Sequence, residues 1–145
     1  MVKDFENKNE WALILGGSSG LGLATAKKLA KHGMNICIVH RNSRSQLEIV
    51  KKHFREIASN PVVFISYNTD AFQSKKRTEL VENLNQELKG GKIKILVHSV
   101  AKGNLKPMVS DSIPILKTDD FQLTIQAMGI SLYLSLIHIS EPTRQ

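Results

Sequence analysis

The chain has a single cysteine, Cys37, set in the apolar run Ile36, Cys37, Ile38, Val39. No disulfide can form within it, which points to a reducing compartment. No apolar stretch approaches the length that spans a bilayer. The opening MVKDFENKNE lacks the apolar centre of a secretory signal. A cytoplasmic protein without a membrane partner is expected. Aromatic residues are scarce, at 6%, and no basic face is studded with them, although the formal net charge is +7. Lys27, Lys28, Lys31, Lys51, Lys52, Lys75, Lys76 and Arg77 are spread over three helical segments. A nucleic-acid surface would gather them in one place. They read instead as the outer faces of helices beside a site for an anionic ligand, so no nucleic acid is expected, and no metal site.

The chain has 145 residues, 41% of them hydrophobic and 23% charged. That makes one globular domain at most, long enough to bury a core. Short apolar runs alternate with amphipathic stretches. Strands are expected at 11–15, 36–39, 62–66 and 93–97. Helices are expected at 20–32 (with Gly33 as C-cap), 45–58 and 75–89, the last stopped by Gly90 and Gly91. Their inward faces are Gly22, Ala26, Leu29 and Ala30; Leu47, Val50, Phe54 and Ile57; and Leu80, Leu84 and Leu88. Strands that are apolar throughout, alternating with helices, argue for an α/β fold with a parallel sheet covered on both faces. Residues 104–117 form an irregular loop with two prolines. A further helix is expected from about residue 118, capped by Thr118, with Asp119 and Asp120 favouring its N-terminal dipole.

Between the first strand and first helix runs Gly16-Gly17-Ser18-Ser19-Gly20-Leu21-Gly22. Gly16 lets the chain turn sharply out of the strand. Gly20 lets backbone amides approach a pyrophosphate without a Cβ in the way, and Gly22 lets the helix pack close to the sheet. The helix N-terminus then aims unpaired N–H groups and partial positive charge at the phosphates. Gly16, Ser18, Ser19, Gly20, Leu21 and Gly22 are thus candidate cofactor contacts.

The spacing G-x-x-x-G-x-G in a first βα turn resembles the signature of the short-chain dehydrogenase/reductase family, with Leu15 where the family usually has threonine. The resemblance implies the N-terminal half of a doubly wound Rossmann sheet, strand order 3-2-1-4, truncated, together with a nicotinamide cofactor and a homo-oligomeric parent. NAD-specific sites carry an acid where the second strand ends. Here the strand ends Val39-His40-Arg41-Asn42, without one. The planar fork of Arg41 suits a 2′-phosphate, with Arg44 a second candidate, so NADPH is expected over NADH. No partner for His40 is evident. After the third strand the family holds adenine with an acid, and either Asp70 or Asn68 stands where that residue is expected. Either could equally be a turn residue.

The fourth strand leads into His98-Ser99-Val100-Ala101, which resembles a segment of the enoyl-acyl-carrier-protein reductases and is expected to line the inner ribose. Gln126 aligns with the asparagine of the family's catalytic tetrad. The resemblance implies reduction of a trans-2-enoyl thioester, on acyl carrier protein or coenzyme A, in fatty-acid synthesis. A carbonyl (3-oxoacyl) reductase and a non-catalytic NADPH-binding regulator stand as alternatives.

The family's chemistry needs a tyrosine acid with a lysine four or seven residues on. The chain has two tyrosines, Tyr67 and Tyr133. Ala71 and Ile137 lie four residues on, and Ser74 and Ser140 lie seven on. The pair is absent, and the stretch by itself is expected to be inactive. Residues 134–144 read as an in-frame translation of a sequencing-library transposon adapter. The expected organisation is therefore a partial dinucleotide-binding domain at 1–133 and a non-native tail at 134–145.

Overall fold

The computed structural model describes residues 4–140, and side chains as far as residue 136. Residues 141–145 of the expected tail lie outside the described residues. The chain divides into two compact units, residues 1–99 and 100–145.

The first unit runs β1 (Glu10–Leu15), α1 (Gly20–Lys31), β2 (Asn35–His40), α2 (Leu47–Ala58), β3 (Phe64–Asn68), α3 (Ser74–Glu87) and β4 (Lys92–His98). All strand pairs are parallel, in the order β3-β2-β1-β4. This is the parallel α/β sheet that the alternation of runs predicts, in the Rossmann strand order that the family resemblance implies. β1 and β2 stand in the middle, and in each every residue after the first is buried. The outer strands β3 and β4 are only partly buried.

The chain steps from β1 to β2 to β3 in one direction, then returns past β1 to place β4. Right-handed crossovers therefore put α1 and α2 on one face of the sheet and α3 on the other. On the α1/α2 side, Ala12, Ile14, Ile36 and Ile38 pack with Leu23, Ala26, Ala30, Val50, Phe54 and Ile57. The alternate residues Leu13, Leu15, Cys37 and Val39 are buried too, as are Leu80, Leu84 and Leu88 from α3 and its C-cap.

Three local details differ from expectation. β3 begins two residues late and runs on through Tyr67 and Asn68. Pro61 has no N–H to give, and the Asn35 side chain takes the Val63 amide at 2.9 Å, so the regular ladder starts at Phe64↔Ile36. α2 is preceded by a 3₁₀ turn, Arg44–Gln46. Arg77, expected on a solvated face, is buried. The spacing 77, 80, 84 puts it on the inward stripe of α3, where it donates Nη1–H to the Ala71 carbonyl at 3.3 Å.

The second unit comprises the loop from residue 100, α4 (Thr118–Ile125), a π-helical turn (Gln126–Ile130) and α5 (Ser131–Ser140). The N-cap of α4 is Lys117, not Thr118. The Asp120 carboxylate, in the first turn, reaches back to accept the Lys117 N–H at 2.8 Å, which satisfies the orphan donor one residue earlier than a threonine cap would.

Candidate functional site

The strand order reverses between β1 and β4, and ligands of open α/β sheets bind outside the carboxyl ends of the strands at such a point. In this chain that edge carries the residues after Leu15, His40, Asn68 and His98. Gly16 leaves β1 at φ +83° and donates its N–H to the Val39 carbonyl at 2.8 Å. A side chain there would be held in the left-handed region, so the turn requires glycine. Gly22 is buried on α1, and a Cβ on it would meet the Gly16 carbonyl oxygen at 2.4 Å and the Ser99 Cβ at 3.1 Å. The first turn of α1 is therefore pressed against both the glycine turn and the end of β4. Ser99 completes the junction by donating its N–H to the Leu15 carbonyl at 2.8 Å.

Gly20 is different. It sits at φ +54°, and a Cβ built on it meets nothing within 4 Å. Its absent side chain leaves open space at the mouth of the helix rather than relieving a clash in the protein. Ser19 and Leu21 beside it are exposed, Leu21 at 83%. The first turn of α1 has no acidic residue and no side-chain cap, so its N–H groups and positive dipole end are offered outward. Open space beside the positive end of a helix dipole suits an anionic group such as a pyrophosphate.

At the end of β2, Arg41 is exposed and donates Nη1–H to Asp70 Oδ2 at 2.9 Å. Asp70 also accepts the Phe72 N–H at 3.0 Å. Asn68 is taken up by the loop after β2: its Oδ1 accepts the Asn42 N–H at 3.0 Å and its Nδ2 donates to the Asn42 carbonyl at 3.1 Å. His40, for which no partner was evident in sequence, has its Nδ1 2.8 Å from Asn42 Oδ1 and packs edge-on against Phe54, centroids 5.2 Å apart. Burial holds its pKa below the usual histidine value, against a smaller opposite pull from Asn42, which favours the neutral ring. Arg44 lies exposed on the 3₁₀ turn. Arg41 thus meets Asp70 and the neighbouring Asn42 meets Asn68, with Gln46 bracing the same loop; Asn42 and Gln46 were not marked by sequence alone.

His98 ends β4, and burial likewise lowers its pKa. Tyr67 is part-buried, and burial first, then Cys37 and Glu87, raise its phenol above the usual value. That is the opposite of an activated proton donor.

In the second unit, Val100 is half-buried and Ala101 is exposed. Gln126 opens the π-helical turn and is exposed. Asp120 is buried. Its carboxylate binds Lys106 Nζ at 2.9 and 3.0 Å, the Asn104 side chain and the Lys117 N–H. These bonds, the Lys117 amide foremost, hold its pKa at about 2. The cluster tethers the 104–106 loop to the start of α4. A sequence signal existed only for the helix cap, because the loop partners lie 14 and 16 residues away.

Among the described residues, no helix is long and apolar enough to cross a membrane, and no cluster of histidine, cysteine and acids could hold a metal ion.

Known proteins resemble the chain in sequence and in fold. A very-long-chain 3-oxoacyl-CoA reductase of Neurospora crassa is 30% identical over 132 residues, covering 88% of this chain and 37% of the relative. Among solved structures, NAD⁺-bound xylitol dehydrogenase superposes with a TM-score of 0.74 at 22% identity, covering 94% of this chain and 48% of the other. A metagenomic short-chain oxidoreductase in complex with NADP gives 0.73 at 20% identity, covering 91% and 55%. The chain thus spans about a third of the length of the relatives that it matches in sequence. The short chain dehydrogenase family model matches residues 10–132, nearly the whole chain, and the chain belongs to that family.

Proposed function

We propose that this chain is the cofactor-holding part of an NADP(H)-dependent carbonyl reductase whose substrate is a 3-oxoacyl thioester. One observation carries the cofactor half: the open cradle at Gly20 lies at the same sheet edge as Arg41, with no acid closing β2. A bound dinucleotide would supply hydride. The residues here would grip it, with Gly16, Ser18, Ser19, Gly20, Leu21 and Gly22 around the pyrophosphate, Arg41 at the 2′-phosphate, and His98, Ser99, Val100 and Ala101 along the inner ribose. Solved members of similar fold are described with NAD⁺ or with NADP, so the choice of NADP(H) rests on Arg41.

The substrate half leans on the Neurospora relative, whose name supports the carbonyl reading over the enoyl one. The enoyl reading keeps only the resemblance of His98-Ser99-Val100-Ala101. Neither Tyr67 nor Tyr133 has a lysine at the family's spacing, so we assign this stretch grip without proton transfer. A reducing, cytoplasmic setting agrees with the lone buried Cys37.

The cofactor test is titration of the chain with NADPH and with NADH, read by cofactor fluorescence. Tighter NADPH binding is expected, and equal or reversed affinities refute the assignment. For the protein that carries this stretch with a family Tyr–Lys pair, NADPH oxidation with a 3-oxoacyl-CoA against a trans-2-enoyl-CoA decides the substrate.

A further inference from the structure

Arginine is a costly residue to aim, because its side chain carries about 2 kcal/mol of rotamer entropy. An arginine whose backbone is already fixed has less freedom left to lose when it meets a phosphate. Arg41 is held from both sides. Behind it, the backbone of Asn42 is pinned twice by the Asn68 carboxamide, which extends the β2–β3 ladder one step past its last pair, His40↔Asn68. The Asn42 side chain is itself clasped between His40 Nδ1 at 2.8 Å and Gln46 Oε1 at 3.3 Å, and the same Gln46 oxygen accepts the Ser43 N–H at 3.2 Å. In front, Asp70 holds the guanidinium. Both hydrogen-bonding ends of Asn68 are occupied by a loop that carries an arginine, and none of these bonds contributes to a core.

We infer that Asn68 is a positioning residue for 2′-phosphate selectivity: it fixes the Arg41 loop and is not the adenine contact that its place in the sequence suggests. The inference rests on the NADP(H) reading above and deepens it. A nucleotide with a 2′-phosphate gains from Asn68 through Arg41, and one without gains nothing.

The probes are adenosine 2′,5′-bisphosphate and 5′-AMP, whose dissociation constants are measured by calorimetry on the chain and its variants. Asn68 is exposed, so Asn68→Ala leaves the core intact. Gln46→Ala, also at an exposed position, loosens the same loop from the other side as a second variant. The wild-type chain is expected to prefer the bisphosphate by about tenfold or more. Asn68→Ala is expected to cut that preference about fivefold while changing 5′-AMP affinity less than about twofold. In an Arg41→Ala background it is expected to change neither. A preference left intact by Asn68→Ala and by Gln46→Ala overturns the inference while the NADP(H) reading stands. An equal loss for both nucleotides makes Asn68 an adenine contact and also overturns it. A wild-type chain with no preference overturns the NADP(H) reading itself, and the inference with it.

Discussion

The glycine turn holds two glycines of the same helical turn that are required for different reasons, and alanine at each separates folding from binding. At Gly22 a Cβ would lie 2.4 Å from a backbone carbonyl oxygen and 3.1 Å from the Ser99 Cβ. Neither neighbour is the far end of a flexible side chain, so α1 must shift off the β1 turn. Overpacking of this kind costs typically about 1–3 kcal/mol, and a contact against backbone belongs at the upper end. For a chain of this size about 3 kcal/mol lowers Tm by roughly 10 °C. At Gly20 the Cβ finds open space, and the only penalty is the left-handed φ of +54°, on the order of 1–2 kcal/mol. The same Cβ stands where backbone would approach a pyrophosphate, so Gly20→Ala is expected to weaken NADPH binding about tenfold or more, roughly 1.4 kcal/mol. Trp11, the sole tryptophan and buried in β1, reports urea unfolding, and cofactor fluorescence reports binding. Equal stability losses at the two positions, or a Gly20→Ala chain that binds NADPH like the parent, would refute this division.

Other substitutions test the remaining parts. Arg41→Ala removes the guanidinium that pairs with Asp70 and would face a 2′-phosphate, so the preference for NADPH over NADH is expected to disappear in the cofactor titration. Stability should fall by less than about 1 kcal/mol, because the pair is largely exposed on the arginine side. Asp120 has a folded pKa of about 2, below its unfolded value of about 4. Its tether therefore stabilises at pH above about 4 and is lost as pH falls through about 2. A carboxyl NMR titration with its midpoint at or above 4 contradicts the hydrogen-bond set, and Asp120→Asn should make the 104–106 loop easier to cleave by protease at neutral pH. Cys37 is buried, and that burial pushes its thiol up to about 12. An aromatic disulfide reagent should react with it only as fast as the chain unfolds, and rapid labelling in native buffer counts against the sheet as described.

Much of the sheet was legible because its signals are local. Fully apolar runs mark β1 and β2 as central, and the 3.6-residue spacing of Leu80, Leu84 and Leu88 marks the inward face of α3. Gly33 ends α1 at φ +88°, where a helix commonly places glycine. The parts that were not legible depend on partners far along the chain. His40 meets Asn42 on a loop that Asn68 pins from 26 residues away, and Asp120 is satisfied by Asn104 and Lys106. The start of β3 shifted because Asn35, a residue of β2, takes the Val63 amide. Thr118 has the composition of a cap, yet Asp120 reaches one residue further back. The π-helical turn at Gln126–Ile130 leaves no mark in a periodicity written for α-helices. Within the site, the glycines could be read singly, since each answers to its own backbone. The role of Asn68 could not, because it exists only in the pairing with Asn42.

The place of β1 in the sheet also has a consequence in time. Glu10–Leu15 is made before the other three strands of this sheet, and it pairs on one side with β2 and on the other with β4, Glu10 meeting Lys92 and Leu15 meeting His98. At roughly 5–20 residues per second of synthesis, the second edge of this apolar strand stays open on the order of ten seconds after the strand is made. Throughout that interval it offers unpaired N–H and C=O groups to any neighbouring chain. The glycine turn is tied to the same event, because Gly22 packs on Ser99 and Ser99 closes on Leu15. The cradle therefore reaches its full shape only once residue 99 is in place, more than seventy residues after the glycines that define it are made.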